Sequence, residues 1–329
     1  MNRRGFIAIS PFVITALGRN TSAQTARRLY RVGILGNASI SDLSGARPTS
    51  PVVAALLGRM RQLGYVYGEN LVTETRGSEG EPKRFDGLAA ELAQLQLDVI
   101  VAVGPALPAL KRTTTTIPVV MAAASDPVAL GYVQSLGRPG GNFTGLSLQA
   151  LETTGKRLEL LRALVPGNQP IAVVWDRTGE AYWHAAQSAA KTHGWTVISL
   201  EIRQSSDVES VFTQAKEKGA GAVLMHASAF IFPRRREFAE LAIRRRLPAM
   251  YDLRPYAEAG GLISYGVDID NVWSDAAVFV DKILKGSRPQ DLPVEQPTKF
   301  ELIVNRRSAD AMGLKLPKSL LIRADAVIQ

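Results

Sequence analysis

A chain of 329 residues is long enough for two domains of ordinary size. Its composition, 46% hydrophobic and 21% charged, is typical of a globular protein, and its net charge of +9 raises the question of an anionic partner such as nucleic acid. The absence of cysteine excludes disulfides, cysteine-based zinc sites, thiol catalysis and a lipid anchor on an N-terminal cysteine. The three histidines lie apart without metal-ligand spacing, so we expect no metal site and no cofactor.

The first 23 residues have the features of a secretion signal. Arg3 and Arg4 precede a mostly apolar run over residues 6–18, and the small residues 21–23 form a cleavage site. The arginine pair resembles a twin-arginine address, and the apolar run is too short to cross a bilayer. We therefore expect residues 1–23 to be a signal peptide and the mature protein to work in the periplasm. The alternative is a frayed, slightly amphipathic N-terminus.

Strand-like and helix-like segments alternate behind this leader. In chain order, we expect strands at 31–36, 70–76, 98–104, 117–127, 142–148, 171–176, 196–202, 221–227, 248–253 and 261–267. Helical segments are expected at 51–63, 85–95, 151–165, 180–193, 206–218 and 233–246. This alternation predicts an α/β protein with two successive doubly wound domains, each built on a parallel sheet covered by helices.

Small and polar residues follow many of these strands. In open parallel sheets, ligands bind outside the carboxyl ends of the strands, so these residues would meet in a cleft if the two domains face each other. The candidates are Asn37, Gly104, Ser125, Asp126, Asp176, His226, Asp252 and Tyr265. Each aspartate taken alone can instead cap the helix that follows it, because Asp is a preferred N-cap residue.

Common enzyme motifs do not occur in the chain. No G-x-G-x-x-G segment joins a strand to a helix, Ala150 and Arg157 break the phosphate-loop pattern, and there is no G-x-S-x-G elbow. The strand-tip aspartates could still serve acid–base chemistry, which leaves an extracytoplasmic hydrolase as the alternative function. A transcriptional regulator would need an N-terminal helix-turn-helix motif, but the N-terminal residues of this chain have the features of a leader.

The arginine-rich segments 234–238 and 243–247 have helical spacing with apolar residues on the other face. They are interpreted as a solvated helix face, and we expect no nucleic-acid partner because no recognition motif accompanies them.

Several strings resemble a known family, the substrate-binding proteins of ABC transporters with the type I periplasmic-binding fold, in the tryptophan/tyrosine-type branch. The matching strings include RRLYRVGILG (27–36), IPVVMAAASDPVALGYVQSLGRPGGNFTGLS (117–147), YDLRPYAEAGGLISYGVD (251–268), DKILKGSRPQDLPVEQPTKFELIVN (281–305) and LKLPKSLLIRADAVI (314–328). The resemblance covers the chain from near residue 27 to its end. It implies capture of a small solute and delivery to a membrane permease, without enzymatic turnover.

The resemblance also implies the arrangement of the chain. Two Rossmann-like lobes would be joined by a three-segment hinge, with crossovers near residues 147–151, 267–271 and 292–298. The first lobe would comprise residues 27–147 and 270–329, with the strand at 300–305, and the second lobe residues 151–268. We expect a monomer, since an opening and closing cleft needs free lobes.

The resemblance adds Thr144 and Tyr251 to the candidate binding residues. Asp126 or Asp252 would accept hydrogen bonds from a ligand ammonium, while Ser125, Thr144 and backbone N–H groups would hold its carboxylate. Tyr251 or Tyr265 would form an aromatic wall, or both would pack at the hinge. The solute is a small polar or zwitterionic molecule, and an aromatic amino acid, a branched amino acid and an aromatic acid all remain open.

Overall fold

Two separate β-sheets organise the protein. The computed structural model describes residues 28–228 and 230–329. The signal peptide predicted for residues 1–23 lies outside these described residues. Each sheet carries helices on its faces, which gives the two α/β lobes that the alternation of segments predicts.

The first sheet has five parallel strands in the order β2-β1-β3-β4-β5. The strands are β1 (Tyr30–Gly36), β2 (Leu71–Gly77), β3 (Val99–Val103), β4 (Val119–Ala124) and β5 (Phe143–Ser147). Strands β3 and β4 read VIVAV and VVMAAA and are almost wholly buried, because helices cover both faces of the sheet.

The second sheet has seven strands in the order β12-β11-β10-β9-β8-β6-β7. They are β6 (Ile171–Asp176), β7 (Val197–Ile202), β8 (Ala222–Met225), β9 (Ala249–Tyr251), β10 (Ile263–Val267), β11 (Phe300–Asn305) and β12 (Ala326–Ile328). Pairing is parallel throughout except between β10 and β11, which run antiparallel.

The helices follow the strands along the chain. They are α1 (Ile40–Leu43), α2 (Pro51–Gln62), α3 (Phe85–Ala93), α4 (Leu107–Thr113), α5 (Thr154–Arg162), α6 (Glu180–Thr192), α7 (Asp207–Glu217), α8 (Arg235–Arg244), α9 (Arg254–Glu258), α10 (Ile269–Leu284), α11 (Arg306–Met312) and α12 (Lys318–Arg323). Among the described residues, none of these helices has both the length and the apolar character of a membrane span.

The chain passes between the sheets three times, which agrees with the expected three-segment hinge. The first crossover, residues 148–153, joins β5 to α5, and the second is Asp268, which caps α10 by accepting hydrogen bonds from two backbone N–H groups. Helix α10 packs against α2 of the first lobe, where the Tyr65 hydroxyl donates to Asp281 at 2.9 Å. The third crossover, residues 285–299, returns the chain to the second sheet.

The expected place of the C-terminal strand in the first lobe is wrong. Strand β11 pairs with β10 of the second sheet, and β12 adds to the far side of β11. The reason is that β10 needs a second neighbour beyond β9, and Leu302 and Val304 of β11 find a buried place beside Ile263 in the core of the second lobe. Residues 300–328 therefore belong to the second lobe, and only the segment around α10 returns to the first.

Candidate functional site

The first lobe presents two loops side by side at the carboxyl end of its sheet. Gly36 and Gly77, the last residues of β1 and β2, are paired, and the Ser78 N–H donates to the Gly36 carbonyl at 3.0 Å. A side chain at Gly77 would overlap the backbone carbonyl of Ala38, so glycine is needed for this close approach. The approach brings Asn37 and Ser78 together at the tips of adjacent strands.

The second lobe brings three predicted residues together at the carboxyl end of its own sheet. Asp176, His226 and Asp252 follow β6, β8 and β9, and each side chain is about nine-tenths buried or more. His226 Nε2 lies 4.0 Å from Asp176 Oδ1, and Asp252 Oδ2 accepts a hydrogen bond of 2.8 Å from the N–H of Ala227. These contacts place the three residues together at one edge of the second sheet.

Asp176 is held in place by its own loop and by the next one. Its Oδ1 accepts hydrogen bonds from the N–H of Thr178 at 2.9 Å and from the Thr178 hydroxyl at 2.6 Å, and its Oδ2 accepts one from the Ser228 hydroxyl. The carboxylate therefore shapes the loops after β6 and β8, and most of its acceptor capacity is already used.

Several buried polar atoms without a hydrogen-bond partner lie at or near these strand ends. Among the described residues, they include Asn37 Oδ1 and Ser78 Oγ in the first lobe, and His226 Nε2, Asp252 Oδ1, Tyr251 Oη and Tyr256 Oη in the second. Leaving such a group unpaired costs about 1–3 kcal/mol, and native proteins keep few of them. Such atoms on both sheets indicate a place where a bound molecule supplies the missing partners.

Burial keeps the two tyrosines of this group protonated. It raises the pKa of Tyr251 and, together with the charge of the nearby Asp252 carboxylate, that of Tyr256. The two rings stack with their centroids 4.8 Å apart, and both are fully buried. Tyr251 thus forms part of the core of the second lobe, with only its hydroxyl left to donate.

The loops of the two lobes approach each other at the edge of this site. A Cβ atom built on Gly80, in the loop after β2, would lie 3.0 Å from Cγ of Pro233, which precedes α8. The first turn of α8 also carries Arg235, whose guanidinium carbon lies 4.9 Å from the centroid of the Phe232 ring. Of the arginines in this segment, Arg236 is exposed, as the interpretation of a solvated face expects, whereas Arg235 is half-buried.

Thr144 is not available to a ligand. It lies within β5, is completely buried, and donates from Oγ1 to the Leu292 carbonyl at 2.7 Å. Its hydroxyl fastens the third crossover to the edge of the first sheet, where Glu295 also exchanges backbone hydrogen bonds with Gly145 and Ser147. The expectation that Thr144 holds a ligand carboxylate is thus corrected by its depth in the sheet.

Replacing Thr144 by valine should therefore leave solute affinity unchanged and lower stability. Valine keeps the shape but leaves the Leu292 carbonyl without its partner, which costs about 1 kcal/mol. Chemical denaturation measures the stability, and calorimetric titration measures the affinity. A loss of affinity with unchanged stability would show that Thr144 contacts the ligand after all.

The other predicted residues of the first lobe make local contacts. Asp126 Oδ1 accepts hydrogen bonds from the N–H groups of Val128 at 3.1 Å and Ala129 at 2.9 Å, so it caps the segment that follows it, which is a turn and not the expected helix. Gly104 allows a close backbone approach, since a Cβ atom there would lie 2.5 Å from the Ala123 carbonyl oxygen. Ser125 lies half-buried beside Asp126.

Tyr265 lies in β10 and is half-buried. Its ring stacks on Phe300 of the neighbouring β11, with centroids 6.0 Å apart. Because this partner lies where the chain returns through the third crossover, the contact favours the hinge-packing alternative over an aromatic wall for Tyr265.

Two residues of the site escaped the sequence analysis. Ser78 lies two residues after the strand predicted at 70–76, so applying the strand-end rule to the loop after that strand would have found it. Tyr256 lies within α9, five residues after β9, and no sequence pattern distinguishes it from an ordinary core aromatic.

Known proteins resemble this chain along most of its length. The family model described as ABC transporter substrate binding protein matches residues 52–328. A curated relative, the tyrosine-binding protein of Clostridioides difficile, is 23% identical over 283 residues, which cover 85% of this chain and 81% of that protein.

Two solved structures share the fold. A conserved domain protein from Vibrio cholerae has a TM-score of 0.82 and 25% identity, covering 91% of this chain and 100% of that one. The ABC domain from Streptococcus pneumoniae, solved in complex with L-Trp, has a TM-score of 0.80 and 23% identity, with the same coverage. With the family model matching most of its length, the chain belongs to the family of ABC transporter substrate binding proteins.

Proposed function

We propose that this protein is a periplasmic receptor that captures an aromatic amino acid between its two lobes and delivers it to an ABC permease. The observation that carries the proposal is the set of buried, unpaired polar atoms at the strand ends of both sheets. A ligand that bridges Asn37 and Ser78 of the first lobe to His226, Asp252 and Tyr256 of the second would satisfy groups that are costly to leave unpaired.

The charges around the site suit an α-amino acid. Asp252 Oδ1 is an acceptor with no partner among the described residues and would take the ligand ammonium, with Asn37 Oδ1 opposite. The ligand carboxylate would be held by the Ser78 hydroxyl and by Arg235, the cation whose charge acts on the Tyr256 phenol. Both ends of the zwitterion would then contact both lobes.

The aromatic character of the ligand is argued from the relatives. One is named for tyrosine binding, and another was solved with L-Trp. In this chain, the ring would lie near the aromatic residues of the second lobe, since Phe232 meets Tyr256 edge-on at 5.6 Å beside the loop that faces Gly80. An aliphatic or an aromatic-acid ligand would lose either this contact or the ammonium contact.

The two-lobed architecture supports delivery of the ligand to a permease. A ligand that contacts both lobes binds the closed arrangement better than the open one, so it shifts the population toward closure. A permease can then recognise the closed shape. We propose that the protein acts as a monomer without a nucleic-acid partner, and that its twin-arginine-like leader directs export.

The hydrolase alternative has less support from the site. That alternative assigns acid–base chemistry to the strand-tip aspartates, but Asp176 already accepts hydrogen bonds from Thr178 and Ser228, and Asp126 caps its own turn. The arrangement suits binding better than turnover.

Thermal-shift screening tests the proposal directly. At a concentration of a hundred times its dissociation constant, L-tyrosine or L-tryptophan should stabilise the folded protein by about 2.7 kcal/mol. The deaminated acids, which lack the ammonium, and L-leucine, which lacks the ring, are the matched controls and should stabilise it much less. Hydrolysis of an ester or glycoside without stabilisation by any amino acid would overturn the receptor proposal.

A further inference from the structure

A fully buried arginine in the second lobe has no role in the site described above. Arg157 lies in the first turn of α5 and is 1% exposed, and none of the ion pairs among the described residues includes it. A buried charge is costly unless its donors are satisfied. The guanidinium meets this need with three oxygen acceptors instead of a carboxylate.

Two of these acceptors lie in the first crossover of the hinge, and the third lies in β10, near the point where the second crossover begins. Arg157 Nη1 donates to the Ala150 carbonyl at 3.0 Å, and Nη2 donates to the Thr153 hydroxyl at 2.7 Å, both within the first crossover. Its Nε donates to the Tyr265 carbonyl at 2.8 Å, two residues before β10 ends and three before the second crossover, Asp268. One planar guanidinium thus joins the first crossover to β10, three residues before the chain leaves the second lobe at Asp268.

The Tyr265 carbonyl is free to accept this bond because β9 is short. The β9–β10 pairs are Ile263 with Met250 and Ser264 with Tyr251, and β9 ends there. Beyond this point, the β9–β10 ladder does not continue, and Arg157 supplies the donor to the Tyr265 carbonyl. A backbone acceptor buried without such a donor would destabilise the fold.

The same arginine reaches the ligand site through one intermediate side chain. Its guanidinium carbon lies 5.8 Å from the centroid of the Tyr182 ring. That ring lies 4.9 Å from the ring of His226, and the Tyr182 hydroxyl donates to the Met225 carbonyl at 3.3 Å. The hinge contacts and the strand-end residues are therefore parts of one packed group.

We propose that Arg157 is a hinge clasp: it fixes the first crossover against β10, close to where the second crossover begins, and so restricts the lobes to a single closing motion and sets the fraction of the protein that can close on a ligand. It is a positioning residue that does not touch the solute. The part that concerns ligand affinity rests on the proposed function, whereas the part that concerns lobe motion does not.

The experiment measures distances between the lobes in the full-length chain. Because the protein has no cysteine, a labelled pair can be introduced on exposed helix positions, Ala90→Cys in the first lobe and Gln187→Cys in the second. Pulsed dipolar spectroscopy gives the distance distribution without ligand and with saturating L-tyrosine or L-tryptophan, and calorimetry gives the affinity.

Arg157→Met is the test variant, and Arg162→Met is its matched control. Arg162 lies on the same helix and also donates to backbone carbonyls, Gln169 and Gly167, but these lie within the second lobe and away from the crossovers. Arg157→Met should broaden the ligand-free distance distribution and raise the dissociation constant at least about fivefold, the lower end of ordinary coupling between sites. Arg162→Met should match the parent chain in both measurements.

A second variant keeps the test decisive if Arg157→Met does not fold. Arg157→Lys retains the charge and most of the packing, but a single ammonium cannot reproduce the planar fork that joins the first crossover to β10. It should broaden the distribution in the same direction by a smaller amount. A folded Arg157 variant with the parent distribution would overturn the clasp. If the parent chain binds no amino acid, the proposed function fails, and the ligand-free distributions still decide the clasp.

Discussion

Replacing Asp252 by asparagine is expected to weaken amino-acid binding by about 1.5–3 kcal/mol, the range for a hydrogen bond to a charged group. The folded structure should persist, because the asparagine oxygen can still accept the hydrogen bond from the N–H of Ala227. The amide N–H₂ would then replace the unpaired Oδ1 and face the ligand ammonium, donor against donor. Isothermal titration calorimetry measures the loss.

Asp126→Asn is the matched control for this prediction. From the sequence, Asp126 and Asp252 were equivalent candidates, because both are carboxylates at predicted strand ends. In the structure, Asp126 caps its own turn. Asp126→Asn should bind the ligand with the affinity of the parent chain. If it lost affinity while Asp252→Asn kept it, the ammonium would lie in the first lobe and the proposed arrangement of the site would be wrong.

The largest loss of stability is expected from Trp273→Ala, about 3–5 kcal/mol in the free energy of unfolding. Trp273 lies on α10, is 1% exposed, and belongs to the same core cluster as Leu56 and Met60 of α2. The chain reaches α10 only after completing most of the second lobe, so this side chain anchors the returning segment on the first. Removing the indole leaves a cavity that the surrounding helices cannot close.

Denaturant unfolding followed by circular dichroism measures this loss. Trp195→Ala is the control, since Trp195 is half-buried and stacks on His193 at 4.4 Å near the surface of the second lobe. It should cost less than about 1 kcal/mol. Similar losses for the two variants would show that α10 does not depend on Trp273 for its attachment.

The candidate site was predicted in part, and the difference between its halves has a physical cause. Asp176, His226 and Asp252 lie at the ends of neighbouring strands of one sheet. Because parallel strands bring their carboxyl ends to one edge, the sequence alone was enough to predict that these three residues lie close together. Thr144 and Asp126 have residue types that suit a ligand as well as those of Asp176, His226 and Asp252 do. Only the depth of Thr144 in β5 and the backbone partners of Asp126 show that both side chains are already engaged.

The sequence by itself determined the kind of elements and most of their order. Alternating apolar strands and amphipathic helices predict covered parallel sheets, because that pattern buries each apolar face only in this arrangement. The tertiary structure alone decided which sheet receives the last strand. The sequence of β11, FELIVN, is apolar enough to be buried in either lobe. Its place in the second sheet depends on β10, whose open edge pairs with it in antiparallel register. The roles of Tyr256 and Arg157 were decided in the same way, since a buried unpaired phenol and a guanidinium that joins the first crossover to β10 exist only once distant segments have packed together.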